Sequence, residues 1–204
     1  MDIKERIITE CNKMLMSVGV TSMTMDHVAH ACGISKRTLY EVFPDKRTLI
    51  TECIRHNHET KNAEVKEIFE HANNCFEAMF QVYSRAKRMY EQTSVAFVND
   101  IKRLYPDVFE QHISSEKVTV DGLADVLRKA QDEGLVIKRI NPEIAAYLFV
   151  VSMRELHNSK NGEKYGFKQS DLFDHVFISF LRGVASSKGI EMIDYLEQQN
   201  QEKQ

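Results

Sequence analysis

The chain has 204 residues, of which 43% are apolar and 28% are charged, with no Trp and only three Pro. This composition suits a sizeable buried core, and the net charge of -3 excludes a protein that coats nucleic acid indiscriminately. The longest run without a charged residue, 144–153, is too short to span a bilayer, and the start shows no export signal, so we expect a cytoplasmic protein.

The first predicted helix covers residues 2–18. Apolar side chains recur at helical spacing from Ile3 through Ile7 and Cys11 to Val18, which gives the helix one buried face. Gly19 is expected to end it, because glycine accepts the left-handed conformation that helix ends favour. We expect this helix to pack against the two short helices that follow it and to support them.

Residues 24–49 predict two short helices, a tight turn and the start of a longer helix. Thr24 can cap the first helix and Ser35 the second, and Gly33 supplies the permissive backbone that the turn needs. Two helices joined by three or four residues that include Gly form the helix-turn-helix pattern.

Cations stand at the beginning of two successive predicted helices. Lys36 and Arg37 occupy the first turn after Ser35, and Lys46 and Arg47 occupy the first turn after Asp45. Cations in these positions oppose the helix dipole, so folding alone favours Asp or Glu there. A phosphate explains the arrangement, because helix N-terminal amides and nearby Lys or Arg bind the same anion.

The segment resembles the DNA-binding domain of the TetR family of bacterial transcriptional regulators. The resemblance covers about the first fifty residues, from Ile7-Ile8 onwards, and its departures are Glu10, Leu15 and Cys32. The residues that carry it are Val28-Ala29, Ala31-Cys32-Gly33-Ile34-Ser35, Leu39-Tyr40, Phe43, Asp45-Lys46 and Leu49.

The resemblance implies a homodimer that places its second short helix in the major groove of operator DNA. Lys36 and Arg37 are the candidates for base edges, Arg37 because it can grip guanine with two hydrogen bonds, although Lys36 can equally serve a phosphate. The predicted DNA-binding residues, including those expected to hold phosphates, are Thr24, Ser35, Lys36, Arg37, Thr38, Tyr40 and Lys46.

The rest of the chain predicts an all-α fold with two domains, residues 1–50 for DNA binding and 51–204 for effector binding and dimerisation. The helix after Lys46 is polar on all sides across residues 56–64, as expected of a connection between domains. Helices near 142–157 and 170–187 carry more apolar surface than one core requires, so we expect them to form a four-helix interface between two copies.

An excess of aromatic, thioether and imidazole side chains in the later half favours a pocket for a small, mostly apolar effector, although each residue alone suits an ordinary core. His112, His157 and Tyr83 are the candidate polar anchors. The predicted lining is Met79, Tyr83, Phe97, Tyr105, Phe109, His112, Phe149, Met153, His157 and Phe177.

Other chemistry has little support in the sequence. The pair His27-x-x-His30 and the cluster Cys53-x-x-His56-x-His58 lack the four closely paired ligands of a structural zinc site, so we expect no metal and no cofactor. The four cysteines indicate reduced thiols; Cys32 admits a redox role, but a small packing residue is the preferred interpretation.

No nucleophile elbow, P-loop or dinucleotide fingerprint is present, so the sequence does not indicate an enzyme. The leading hypothesis is a ligand-responsive repressor released from a near-palindromic operator by its effector. The alternative is a helical small-molecule-binding or adaptor protein of the same fold without DNA-binding activity. A metal or redox sensor within the regulator class is a weaker alternative.

Overall fold

The computed structural model describes residues 2–92, 95–108, 116–158 and 163–201. These residues are helical apart from short turns, one 3-10 turn at Glu163–Tyr165 and one β-bridge between Val136 and Ala185, so the predicted all-α class is confirmed. The α-helices are α1 (Ile3–Ser22), α2 (Met25–Ala31), α3 (Lys36–Val42), α4 (Lys46–His71), α5 (Cys75–Gln92), α6 (Val95–Leu104), α7 (Glu116–Asp132), α8 (Pro142–Asn158), α9 (Gln169–Val184) and α10 (Ser187–Gln201).

Helix α1 extends past its predicted end. Gly19 has a φ of +76°, which interrupts the helical backbone as expected, but a further turn continues to Ser22. The backbone N–H and hydroxyl of Thr21 in that turn donate to Asp100 Oδ2 at 3.0 and 2.8 Å. The Thr21 hydroxyl, followed by its N–H, lowers the pKa of Asp100, so the end of α1 is tied to α6 by an ionised carboxylate.

The first compact unit consists of Met1–Glu64 and Glu91–Ile113. Its core contains Ile7, Leu39 and Leu49 from the first four helices, joined by Ile101 and Tyr105 from the later segment. The predicted boundary at residue 50 falls inside α4, whereas the contacts divide the chain at Glu64. The unit is larger than the predicted domain because α6 packs against α1 and completes this core.

The second compact unit consists of Val65–Tyr90 and Ser114–Gln204, with a core that includes Phe76, Leu127, Leu181 and Ile193. Asn141 caps α8 as predicted, because its Oδ1 accepts from the Ile144 N–H at 2.9 Å. None of the helices in the described ranges is apolar over the length that a bilayer crossing needs.

Helix α10 was not predicted, and a close backbone approach fixes its beginning. A Cβ on Gly189 would lie 2.1 Å from the Leu135 carbonyl oxygen, so only glycine fits there. The Ser186 hydroxyl accepts from the Gly189 N–H at 3.1 Å and donates to the Gly134 carbonyl at 2.6 Å. The turn after α7 therefore anchors the final helix.

Glu52 gives the first unit a pH dependence that can be tested. Arg55, followed by Lys4, holds the pKa of the Glu52 carboxyl at about 2, below its ordinary value of 4.5. A depressed pKa contributes stability above the unfolded pKa, and this contribution is lost as the pH falls towards the folded pKa. In urea unfolding, the free-energy difference between wild type and Glu52→Gln should be largest at pH 7 and shrink between pH 5 and pH 2. A difference that stays constant over this range would contradict the assignment.

Candidate nucleic-acid interface

The turn between α2 and α3 has the geometry that its residues predict. Gly33 follows α2 with a φ of +61°, and the N–H groups of Gly33 and Ile34 donate to the carbonyls of His30 and Ala29, each at 3.0 Å. This pair of hydrogen bonds is the Schellman motif that closes a helix with glycine. The chain can then turn within Cys32–Ser35 and begin α3.

Helix α3 is anchored on one side and exposed on the other. Ser35 Oγ accepts from the Thr38 N–H at 3.0 Å and caps the helix, and Leu39 is fully buried. The opposite side presents Arg37, which is 89% exposed, and Tyr40, which is 48% exposed. The buried leucine fixes the orientation of the helix, so these side chains project from a rigid support.

The cations of α3 have only solvent-exposed partners among the described residues. Lys36 forms an ion pair with Asp26 in the first turn of α2, and Arg37 Nε donates to Glu41 Oε1 at 2.9 Å within α3. Exposed pairs of this kind contribute little to stability. A phosphate or a base edge can therefore replace these carboxylates at low cost.

The two cations in the first turn of α4, Lys46 and Arg47, differ from those of α3 because their partners lie in other segments of the first unit. Lys46 is partly buried, and its ammonium donates to the carbonyls of Val20, at 2.7 Å, and Met23. Arg47 Nη2 donates to both carboxylate oxygens of Asp107 at 2.6 Å, and the guanidinium lies 5.3 Å from the centre of the Tyr105 ring. Lys46 and Arg47 thus have contacts within the fold, whereas the sequence analysis explained these cations by phosphate binding alone.

The contacts of Lys46 lead to a prediction about stability. Lys46→Ala leaves two carbonyls without their charged donor, so the free energy of unfolding should fall by about 1–3 kcal/mol. Urea unfolding of wild type and variant measures this loss. Lys66→Ala is a suitable control, because this lysine of the same helix is 78% exposed and forms an exposed ion pair with Glu70. If Lys46→Ala has the same free energy of unfolding as wild type, the contacts with the two carbonyls do not stabilise the fold.

The remaining predicted DNA-binding residues lie at the helix starts. Thr24 Oγ1 accepts from the His27 N–H at 3.2 Å and caps α2, so this hydroxyl already serves the fold. Ser35 and Thr38 share a hydroxyl contact of 2.8 Å at the start of α3. All seven predicted positions lie in or directly before the first turns of α2, α3 and α4, apart from Tyr40 in the middle of α3.

The predicted effector residues fall into separate places. Met79, Tyr83, Phe149, Met153 and Phe177 belong to the core of the second unit, whereas Tyr105 belongs to the first unit beside Arg47. Five of the ten predicted residues thus share one core. The side chains of Phe97 and His157, and residues Phe109 and His112 altogether, lie outside the described part of the structure.

The second unit contains a stacked aromatic cluster around Tyr83. Its ring stacks on Phe177 at 4.0 Å and on Phe173 at 5.4 Å between centres. The Tyr83 hydroxyl donates to Asp174, whose second oxygen accepts from Lys87 Nζ at 2.6 Å. The predicted polar anchor is thus bonded to a carboxylate that the sequence interpretation did not identify, because Asp174 lies 91 residues away.

The alternative metal and redox sites gain little from the described residues. They contain no group of three or more His, Cys, Asp or Glu side chains placed to hold a metal ion. Cys32 is buried, and desolvation raises the pKa of its thiol, which disfavours the reactive thiolate that a redox switch needs.

Comparisons with known proteins agree with the helix-turn-helix geometry. The family model described as bacterial regulatory proteins, tetR family, matches residues 7–53. The HTH-type transcriptional regulator YvaF of Bacillus subtilis is 21% identical over 188 residues, which cover 90% of this chain and 96% of the relative.

Solved structures share the fold over nearly the whole chain. A transcriptional regulator from Cytophaga hutchinsonii has a TM-score of 0.72 at 20% identity, with 89% of this chain and 98% of that chain covered. A TetR-family regulator from Agrobacterium tumefaciens has a TM-score of 0.68 at 13% identity, with 90% and 98% covered. At these identities, the likenesses show a shared fold. Residues 7–53 therefore match the N-terminal helix-turn-helix domain of bacterial regulatory proteins of the tetR family.

Proposed function

We propose that the protein is a repressor that binds a near-palindromic operator through α3 and releases it when a small effector binds. The observation that carries the proposal is the exposed side of α3, where Arg37 and Lys36 project from a helix fixed by buried Leu39. Arg37 would read a base edge in the major groove, because its guanidinium matches the two acceptors of guanine.

The hydroxyls at the helix starts would fix the position on DNA without reading sequence. Ser35 and Thr38 lie at the N-terminus of α3, where backbone amides and side-chain hydroxyls can bind one phosphate. We retain Thr24, Tyr40 and Lys46 as phosphate contacts, with the difference that Lys46 would have to share its ammonium with the Val20 and Met23 carbonyls.

A homodimer would present two such helices. Helix α8 exposes Ile144, Tyr147 and Leu148, which are 61%, 52% and 58% exposed and lie on one face at helical spacing. Gly183 on α9 is exposed, and a Cβ there would meet no atom within 4 Å, so a second copy could approach closely. Pairing α8 and α9 with a second copy would bury this apolar face.

The dimer would place its two reading helices about 34–36 Å apart or at a multiple of that distance. A small, mostly apolar effector would favour a dimer whose reading helices are wrongly spaced, and by linkage operator DNA would weaken effector binding equally. This function places the protein in the cytoplasm, where bacterial DNA lies.

An electrophoretic mobility shift with the DNA upstream of the protein's own gene tests the proposal against the alternative. A repressor should retard this DNA in the presence of excess unrelated duplex and should release it when its effector is added. A helical ligand-binding or adaptor protein of the same fold should leave the DNA unretarded at every protein concentration.

A further inference from the structure

A groove of about 420 Å³ lies on the surface of the second unit, and its described lining includes none of the predicted effector residues. The end of α4, one side of α5 and the end of α10 form its walls. Its floor is apolar, since Phe80 and Leu196 are both buried beneath it. The volume lies within the range of small-molecule sites in proteins.

Charge is distributed unevenly along the groove. Arg85 and Arg88 lie one turn apart on α5, so both guanidinium groups stand on the same rim. The acid at the other end, Glu77, is bound by the N–H and side-chain amide of Asn73 at 3.0 and 2.7 Å. The carboxylate is thus tied to the beginning of α5, and the end near Arg88 is positive.

Arg88 differs from Arg128 and Arg182 of this unit. Arg128 contacts both Asp125 and Glu143, and Arg182 contacts both Asp194 and Glu197. No residue in the described part of the chain forms an ion pair with Arg88. An anion that binds Arg88 would therefore displace no carboxylate of the described residues.

We infer that this groove binds a small organic anion with an apolar body, the carboxylate or phosphate on Arg88 and Arg85 and the apolar part on Phe80 and Leu196. The inference rests on the proposed function, in which it gives the effector its chemical class. A charged head fits the two arginines because charge-assisted hydrogen bonds are the strong ones, and a chain or ring fits the apolar floor. A neutral molecule of the same shape would forgo the contacts at the rim.

Calorimetric titration of the full-length protein with octanoate tests the inference. Octanoate should bind with measurable heat, and octan-1-ol, which has the same chain without the charge, should bind at least about tenfold more weakly. Arg88→Gln should weaken octanoate binding about tenfold, whereas Arg128→Gln, which removes an exposed arginine of the same unit that pairs with carboxylates, should leave it unchanged.

Equal binding of octanoate and octan-1-ol, or wild-type binding by Arg88→Gln, would overturn the inference. A far-ultraviolet circular dichroism spectrum and an unfolding curve confirm that each variant is folded, as expected for side chains on the surface. A mobility shift on the same samples separates the two proposals. Retarded DNA without octanoate binding refutes only the groove, and octanoate binding without retarded DNA refutes only the operator-binding function.

Discussion

Arg37→Ala should weaken operator binding about tenfold to a hundredfold and relax the preference for one base pair in each half-site. The guanidinium is 89% exposed and its partner Glu41 is also exposed, so the fold loses little when the side chain is removed. The effect should therefore appear in DNA binding while the free energy of unfolding stays within about 0.5 kcal/mol of wild type. Fluorescence anisotropy with a labelled operator and its single-base variants measures both the affinity and the preference.

Arg128→Ala is the matched control for Arg37→Ala. It removes an equally charged, partly exposed side chain from α7 in the second unit, so the net charge changes by the same amount. Its operator affinity should equal that of wild type. If Arg37→Ala binds operator and its variants as wild type does, α3 is not the element that reads sequence.

Leu148→Asp should convert the dimer into a folded monomer and reduce operator binding by at least about a hundredfold. Within one protomer the side chain is 58% exposed, so a carboxylate there remains hydrated and the protomer can fold. In the proposed interface, the same carboxylate would be buried against apolar side chains without a partner, which costs several kcal/mol. Sedimentation velocity at micromolar concentration measures the oligomeric state.

Tyr195→Asp controls for the introduction of an acid at an exposed apolar position. Tyr195 is 55% exposed on α10, outside the proposed interface, so this variant should remain dimeric and bind operator. A wild-type protein that sediments as a monomer, or a Leu148→Asp protein that remains a dimer, would refute the assignment of α8 to the interface.

The boundaries of α2 and α3 follow from contacts between residues that are close in sequence, which is why the sequence predicts them. Thr24 and Ser35 cap their helices through the hydrogen bonds expected of their hydroxyls, and Gly33 adopts the positive φ that its turn requires. Each signal involves residues at most five positions apart. Such local contacts do not depend on distant parts of the chain, so they can be predicted from the sequence.

The features that the sequence did not predict depend on distant partners. Lys46 donates hydrogen bonds to carbonyls 26 and 23 residues away, and Arg47 donates to a carboxylate 60 residues away. No local pattern distinguishes these two cations from Lys36 and Arg37, so the sequence predicts contacts with DNA for both helix starts and no contacts within the fold for Lys46 and Arg47. The beginning of α10 likewise depends on the approach of Gly189 to the Leu135 carbonyl.

The predicted effector lining shows the same limit. Aromatic residues at helical spacing predict burial, but they do not distinguish a pocket from a packed core. Tyr83 and Phe177 stack at 4.0 Å inside the core of the second unit, and Arg85 and Arg88 line the groove on the same unit. The sequence does not predict this groove, because residues of α4, α5 and α10, which are distant along the chain, form it together.

Two copies of α3 in one dimer should read DNA, and selection of bound duplexes from a random pool by the purified protein measures this. Selection should enrich a near-palindromic sequence whose half-sites are centred about 10–10.5 base pairs, or a multiple of that, apart. Arg37→Ala should select the same sequence with one position relaxed in each half-site. A pool that shows no enrichment, or an enriched sequence without two-fold symmetry, would contradict the reading of DNA by two copies of α3.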